Sequence, residues 1–212
     1  MGRIHSLAED AGVLASTRMP LNSTDPLDRF IPAPDIRERF HTTIRAPAPL
    51  VMEVAANFDL QSLFLVRAIF RLREKLMRAT PPAPRQPQGL LAETRGLGWG
   101  LLVEEPGRLI VCGAVCQPWL ASAGFTPIPA ERFQAYAGPN QVKIVWTLEA
   151  EPLGPEVTRF SHETRALATD GAARIRFRRY WRWARFGIIS IRLLLLPAIR
   201  REAERRWVAR GA

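Results

Sequence analysis

The sequence predicts an α+β domain in which a curved antiparallel sheet closes around one long C-terminal helix. Three observations carry this. Residues 170–207 hold a helical period, with Phe177, Trp181, Ala184, Ile188, Ile191 and Leu195 at alternating spacings of four and three. Residues 99–168 contain runs that alternate with period two and are separated by turn signals such as Pro106-Gly107 and Gly154-Pro155. The helical stretches fall outside this run of strands, an order typical of α+β domains. A sheet must bury one face, and the terminal helix is the only element long enough to cover it.

Taken in order, residues 1–34 read as a partly disordered N-terminal extension, since Pro20, Asn22-Ser23, Pro26, Pro32 and Pro34 break any regular element. Order is expected from Asp35, giving a domain over residues 35–209. Residues 36–45 read as a strand. After the turn Ala46-Pro47-Ala48-Pro49, residues 50–58 form a short helix with a proline in its opening turn. Asp59 can cap a second helix with Leu60, Leu63, Leu65, Ala68, Ile69, Leu72 and Leu76 on one face. Residues 79–87 are a proline-rich loop. Residues 90–94 suggest a short strand, and 99–105 and 108–115 a hairpin. Residues 117–140 are a long, proline-punctuated connection of the kind that serves as a lid. In residues 142–151, Val142, Ile144, Trp146, Leu148 and Ala150 face one way. Residues 157–168 are the last strand, with Phe160, His162, Thr164 and Ala166 sharing a face. The helix from Asp170 follows, with a kink expected at Pro197.

Composition narrows the function. The chain has 212 residues, 47% of them hydrophobic, and a net charge of +10. That charge invites a nucleic-acid reading. Only Lys75 and Lys143 are lysines, however, and the arginines scatter from Arg3 to Arg210. We read no nucleic-acid partner. Cys112 and Cys116 lie on one expected strand, roughly 13 Å apart at the usual rise, too far for a disulfide. No third ligand accompanies them, so neither a metal nor any cofactor is expected. Residues 1–20 lack the continuous apolar core of a signal peptide, and the apolar run 193–199 is too short to span a bilayer. A cytoplasmic protein is the expectation.

Several phrases taken together resemble a known superfamily. These are the strand end and helix start Ala46-Pro47-Ala48-Pro49-Leu50-Val51, the late strand of residues 157–170, and Arg176-Phe177-Arg178-Arg179-Tyr180-Trp181. They resemble the START-like superfamily, also called SRPBCC or polyketide cyclase/dehydrase and lipid-transport proteins, and more closely its bacterial members without an assigned role. The resemblance covers roughly residues 35–207. It implies a helix-grip fold with an apolar cavity between sheet and terminal helix, a lipid, polyketide or similar ligand, and enzymatic activity in only some members. The N-terminal 34 residues and the 117–140 connection depart from that pattern.

The candidate ligand-binding residues are Trp99, Trp146, Phe160, His162, Phe177, Trp181 and Arg192. The aromatics would stack on a flat apolar ligand, although a plain core is the commoner meaning of such a pattern. His162 titrates near neutrality in its unperturbed state, so it could orient a carbonyl or act as acid/base; the bland alternative is a hydrogen bond to a helix carbonyl or Tyr180. Arg192, set among Ile188, Ile191, Leu193 and Leu194, either snorkels to solvent or reaches a carboxylate. Glu163 and Arg165, two apart on the opposite strand face, read as a structural pair. There is no Gly-rich phosphate loop, no Gly-x-Ser-x-Gly elbow and no metal-spaced cluster. The expectation is therefore a binding protein for an apolar small molecule. A cyclase or dehydrase using His162 is the alternative. A weak membrane or protein contact through residues 188–207 is the third possibility.

Overall fold

The computed structural model describes residues 25–59, 62–63, 89–121 and 123–211. Strand β1 (Ile36–Ile44) leads into helix α1 (Ala48–Ala56), which opens on Pro47. Helix α2 (Leu90–Gly96) precedes strands β2 (Gly100–Glu105) and β3 (Leu109–Cys116). The one-turn helix α3 (Ala130–Phe133) precedes β4 (Val142–Gly154) and β5 (Val157–Ala168). Helix α4 (Gly171–Gly211) ends the chain. The strands form one antiparallel sheet in the order β1-β5-β4-β3-β2. This is the α+β helix-grip architecture, one sheet with a single long helix on its inner face. The expected second helix over 60–76 and the proline-rich loop over 79–87 lie outside the described residues, apart from 62–63.

Two expectations are corrected. Residues 90–94 are helical: Leu90 and Thr94 are both buried, four apart, and the Thr94 hydroxyl donates to the Leu90 carbonyl at 2.7 Å. That spacing is the helical signal, and the β-branched threonine obscured it. Order also begins earlier than Asp35. Leu27, Phe30 and Ile31 are buried against Leu102, Leu109, Val111, Phe133 and Val145 on the outer face of the sheet. The prolines of this stretch exclude helix and strand without excluding packing.

The inner face buries the helix in two clusters. Val142 and Ala166 meet Phe177, Tyr180 and Ala184 at one end of the sheet. Ile110, Leu148, Ala150 and Phe160 join Leu195, Leu196, Ile199 and Ala203 toward the other, together with α1. Each of the leucine, isoleucine, valine and phenylalanine side chains contributes about 1.5–3 kcal/mol when fully removed from water. Six of the nine α1 residues are buried, so that helix is apolar on nearly all sides because it is covered on nearly all sides. The apolar segment around Leu195 and Leu196 is thereby accounted for, and Pro197 lies exposed within a helix assigned as continuous. Asp170 caps α4, accepting the Ala173 N–H at 2.7 Å, and its carboxyl is held below the usual range chiefly by that bond and by one from the Asn140 N–H.

On the outer face, Arg165 is 1% exposed and fully engaged. Its Nε donates to Glu163 at 2.7 Å, Nη1 to Asp28 at 2.6 Å and to the Ile31 carbonyl at 2.9 Å, and Nη2 to Asp25 at 2.5 Å. Burial alone would depress this guanidinium, but the hydrogen bonds to Asp28 and Glu163 hold it above its ordinary value. Arg37 pairs with Asp25 and Glu163, each at 2.8 Å, from a half-exposed position. The pair read as structural from the sequence is thus the rivet that fastens residues 25–31 to the sheet. Breaking a buried pair strands its partners, so Arg165→Met is expected to lower the unfolding free energy by about 3–5 kcal/mol. The exposed Arg37→Ala change should cost under about 1 kcal/mol. Urea denaturation of both variants checks the contrast; equal losses would mean that burial does not set the network's strength.

Candidate functional site

Strand alternation places the polar candidates under the helix. Trp146 on β4 is paired with Thr164 on β5, Thr164 with Glu38 on β1, and Trp146 with Cys112 on β3. His162 and its β1 partner Phe40 lie one row along. Phe40, Trp146, His162 and Thr164 each keep 8–9% of their surface exposed, whereas Leu148, Ala150 and Phe160 beside them keep none. This patch is therefore less sealed than that end of the inner face, and it adjoins Glu38 and Ile144, which are partly exposed.

An aromatic series leads into it. Phe125 lies 4.8 Å from Trp99, Trp99 lies 6.2 Å edge-on to Trp146, and Trp146 lies 6.0 Å from the His162 ring. Phe125 was not expected from the sequence, because it sits in the irregular 117–140 connection. Its local signal is Gly98. That residue has φ of +97°, and a Cβ there would fall 2.3 Å from the Phe125 carbonyl oxygen, so only glycine admits the close approach. The connection is tied down rather than a loose lid. Thr126 bridges to Val115, Phe133 packs edge-to-face with Phe30 at 6.0 Å, and Lys143 Nζ donates to the Gln134 carbonyl at 2.7 Å. Burial depresses the Lys143 ammonium.

The β4–β5 ladder breaks beside the patch without changing register. Backbone pairs stop at Trp146↔Thr164 and resume at Glu149↔Ser161. In the gap, the Glu163 N–H donates to the Thr147 hydroxyl at 3.1 Å, and the Thr147 carbonyl lies 2.6 Å from His162 Nδ1. A carbonyl can only accept, so Nδ1 carries the proton and Nε2 is an acceptor. Nε2 lies 3.5 Å from the Thr164 hydroxyl, and that hydroxyl accepts from Arg192 Nη2 at 2.7 Å. The sequence's bland alternative for His162, a helix carbonyl or Tyr180, is replaced by this neighbouring-strand carbonyl. Burial, with the Arg192 charge second, pushes the imidazole down to about 3. The near-neutral titration expected from the sequence is corrected: His162 is neutral at physiological pH.

Arg192 resolves in favour of turning inward. Its Nε and Nη1 are sealed from solvent and have no hydrogen-bond partner among the described residues. Burial lowers the guanidinium to about 10, against the opposing influence of Glu38. Trp99, Trp146, His162 and Arg192 thus come together, with Thr164 and Phe125 added. Phe160 is fully buried core one row away. Phe177 and Trp181 lie 6.0 Å apart with their rings tilted at 44°, in the separate cluster at the far end of the sheet, near Val142 and Ala166. Two open clefts lie elsewhere, one where Phe58 and Asp59 face Arg201 and Arg205, the other among Pro47, Pro106 and Pro155; neither takes in His162 or Arg192.

Other chemistry finds little support. Cys112 and Cys116 are buried thiols, and desolvation raises Cys112 to about 12, which removes a thiolate nucleophile at that position. Among the described residues no group of three His, Cys, Asp or Glu side chains could hold a metal, and no helix is long and apolar enough to cross a membrane.

No family model matches the chain, and no curated protein matches it. Among solved structures, the chain is similar to the Zhui aromatase/cyclase from Streptomyces sp. R1128, with a TM-score of 0.32 and 12% identity over 81% of this chain and 94% of that one. It is also similar to DR_A0006 from Deinococcus radiodurans, with a TM-score of 0.28 and 17% identity over 72% of this chain and 99% of that one. Both are coarse likenesses.

The depressed imidazole makes a signed prediction. Unfolded, His162 takes a proton near 6.5, and folded it resists until about 3. Its contribution to stability is complete above the upper value and is lost as pH falls through this window. The native protein should lose up to about 1.4 kcal/mol per pH unit there from this group alone. In His162→Gln, which can keep a donor toward Thr147, that component should vanish. Unfolding free energies at neutral and mildly acidic pH decide it: parallel curves for the two proteins would mean that His162 titrates normally.

Proposed function

We propose that the protein binds an apolar small molecule against the Phe40–Trp146–His162–Thr164 patch, beneath α4 and beside Trp99, as a START-like carrier. The observation that supports this most is the convergence of aromatic rings and polar groups there, Trp99, Trp146, His162, Thr164 and Arg192, where the inner face is incompletely sealed. Aromatic edges and faces give such a molecule area, at about 25 cal/mol per Å² of apolar surface, and the Thr164 and His162 groups give it orientation. An acid/base role for His162 fits less well. A group held at about 3 neither takes nor gives a proton readily near neutral pH, while a fixed neutral acceptor suits binding.

A second reading has its own observation. Along α4, Ile175, Trp183, Phe186 and Leu193 are exposed, two of them by more than 60%. Arg178, Arg179, Arg182 and Arg185 stand among them without an ion pair among the described residues, and no acidic residue occurs between Asp170 and Glu202. Exposed aromatics ringed by unpaired arginines suit an anionic membrane surface. The expected contact over 188–207 moves to 175–193, since Leu195, Leu196, Ile199 and Ala203 are buried.

Native mass spectrometry of gently purified protein is expected to show a co-purified apolar compound, and Trp146→Ala should weaken its retention by about tenfold or more, as loss of an aromatic anchor does. Unchanged retention would move the site elsewhere. For the second reading, the protein should float with phosphatidylcholine–phosphatidylserine vesicles and stay in solution with phosphatidylcholine alone. The double change Arg182→Glu and Arg185→Glu should abolish flotation, and flotation that survives it would exclude the helix as the contact.

A further inference from the structure

We propose that the molecule bound at this patch carries a carboxylate, and that Arg192 is the residue that receives it. The inference rests on the binding reading above and adds the chemical class of the ligand. Arg192 reaches the patch from α4, and its Nη2 is fixed by the bond to Thr164 at 2.7 Å. The remaining nitrogens, Nε and Nη1, are sealed from water without an acceptor among the described residues. Between them these two carry three of the five guanidinium N–H donors. A buried charged donor left in this condition opposes folding, so its partner has to come from outside the described fold.

The surroundings select the partner. Glu38 sits across β5 at the Thr164 position and acts on Arg192 through its charge, yet it forms no ion pair with it. It is therefore not the missing acceptor. His162 is neutral and turns its acceptor nitrogen toward the same hydroxyl, so among the described residues Arg192 is the cation that meets this group of side chains. One cation matched to a planar fork of acceptors is the arrangement that takes a monoanionic carboxylate. Among the described residues, a phosphate dianion would meet Glu38 and an imidazole acceptor with one positive charge to oppose them. The aromatic series from Phe125 through Trp99 to Trp146 supplies the apolar bed for the rest of the molecule. An acyl or aryl carboxylic acid is the class that meets both demands.

Displacement of the neutral fluorescent probe N-phenyl-1-naphthylamine from the full chain tests this. Laurate would be compared with lauryl alcohol, and naphthoate with naphthamide. Each acid is expected to bind about tenfold or more tighter than its neutral counterpart, the margin of a charge-assisted pair. Arg192→Gln should erase that margin, bringing each acid to the affinity of its neutral counterpart, and Arg192→Lys should keep part of it. Because the free guanidinium strains the fold, the thermal midpoint of Arg192→Gln should equal or exceed that of the unmodified protein. Equal affinity for acid and neutral partner, or a margin that survives Arg192→Gln, overturns the carboxylate and leaves the binding site standing. A large drop in the midpoint assigns Arg192 to the fold and overturns it too. Failure of the probe and of all four compounds to bind removes both the site and its ligand class.

Discussion

The structure depends on the alternation of β5. This strand lies between β1 and β4, so both of its edges are paired and both of its faces are covered. Phe160, His162, Thr164 and Ala166 point toward the terminal helix, while Ser161, Glu163, Arg165 and Leu167 point away. A slip of one residue would drive the Arg165 network into the apolar interior and turn His162 out to the N-terminal segment. That double penalty pins the register, and the register in turn decides which side chains meet Arg192.

Two arginines show how differently one residue type is used. Arg165 has acceptors at all three of its nitrogens, supplied by Asp25, Asp28, Glu163 and a backbone carbonyl. Its charge is compensated within the chain, and its effect is mechanical: it holds residues 25–31 on the sheet. Among the described residues Arg192 has one acceptor, a hydroxyl that is itself shared with a neutral imidazole. Low surrounding polarity strengthens each hydrogen bond that is made and raises the penalty for each one left unmade. The contrast distinguishes a fastening from a receptor.

The break in the β4–β5 ladder belongs to the same economy of polar groups. Where the backbone pair is lost, the Thr147 hydroxyl accepts from the Glu163 N–H and His162 Nδ1 donates to the Thr147 carbonyl, so both of these backbone groups keep a partner. The exchange fixes the imidazole tautomer by chemistry that the strand itself supplies. It also explains why a histidine can sit in this face uncharged, as a shaped polar surface rather than a proton carrier.

Period and punctuation determined much of the architecture. The two-residue period of β4 and β5, the mixed three- and four-residue spacing of α4 and the turn at Gly154-Pro155 follow from local sterics, which act through neighbours in the chain. The inward faces of β4 and β5 and the apolar face of α4 were legible for that reason, and so were Trp146, His162 and Arg192 as candidates. Tertiary structure decided what periodicity cannot encode. It separated Phe177 and Trp181 from His162 along the helix, brought Phe125 to Trp99 across a close backbone contact, and seated Leu27, Phe30 and Ile31 on the sheet despite their proline-broken surroundings. It also set the protonation of His162 and left Arg192 short of acceptors. Those properties depend on burial and on groups contributed by four separate elements, Glu38 of β1, Thr147 of β4, His162 and Thr164 of β5 and Arg192 of α4, and a burial environment is made only when the elements meet.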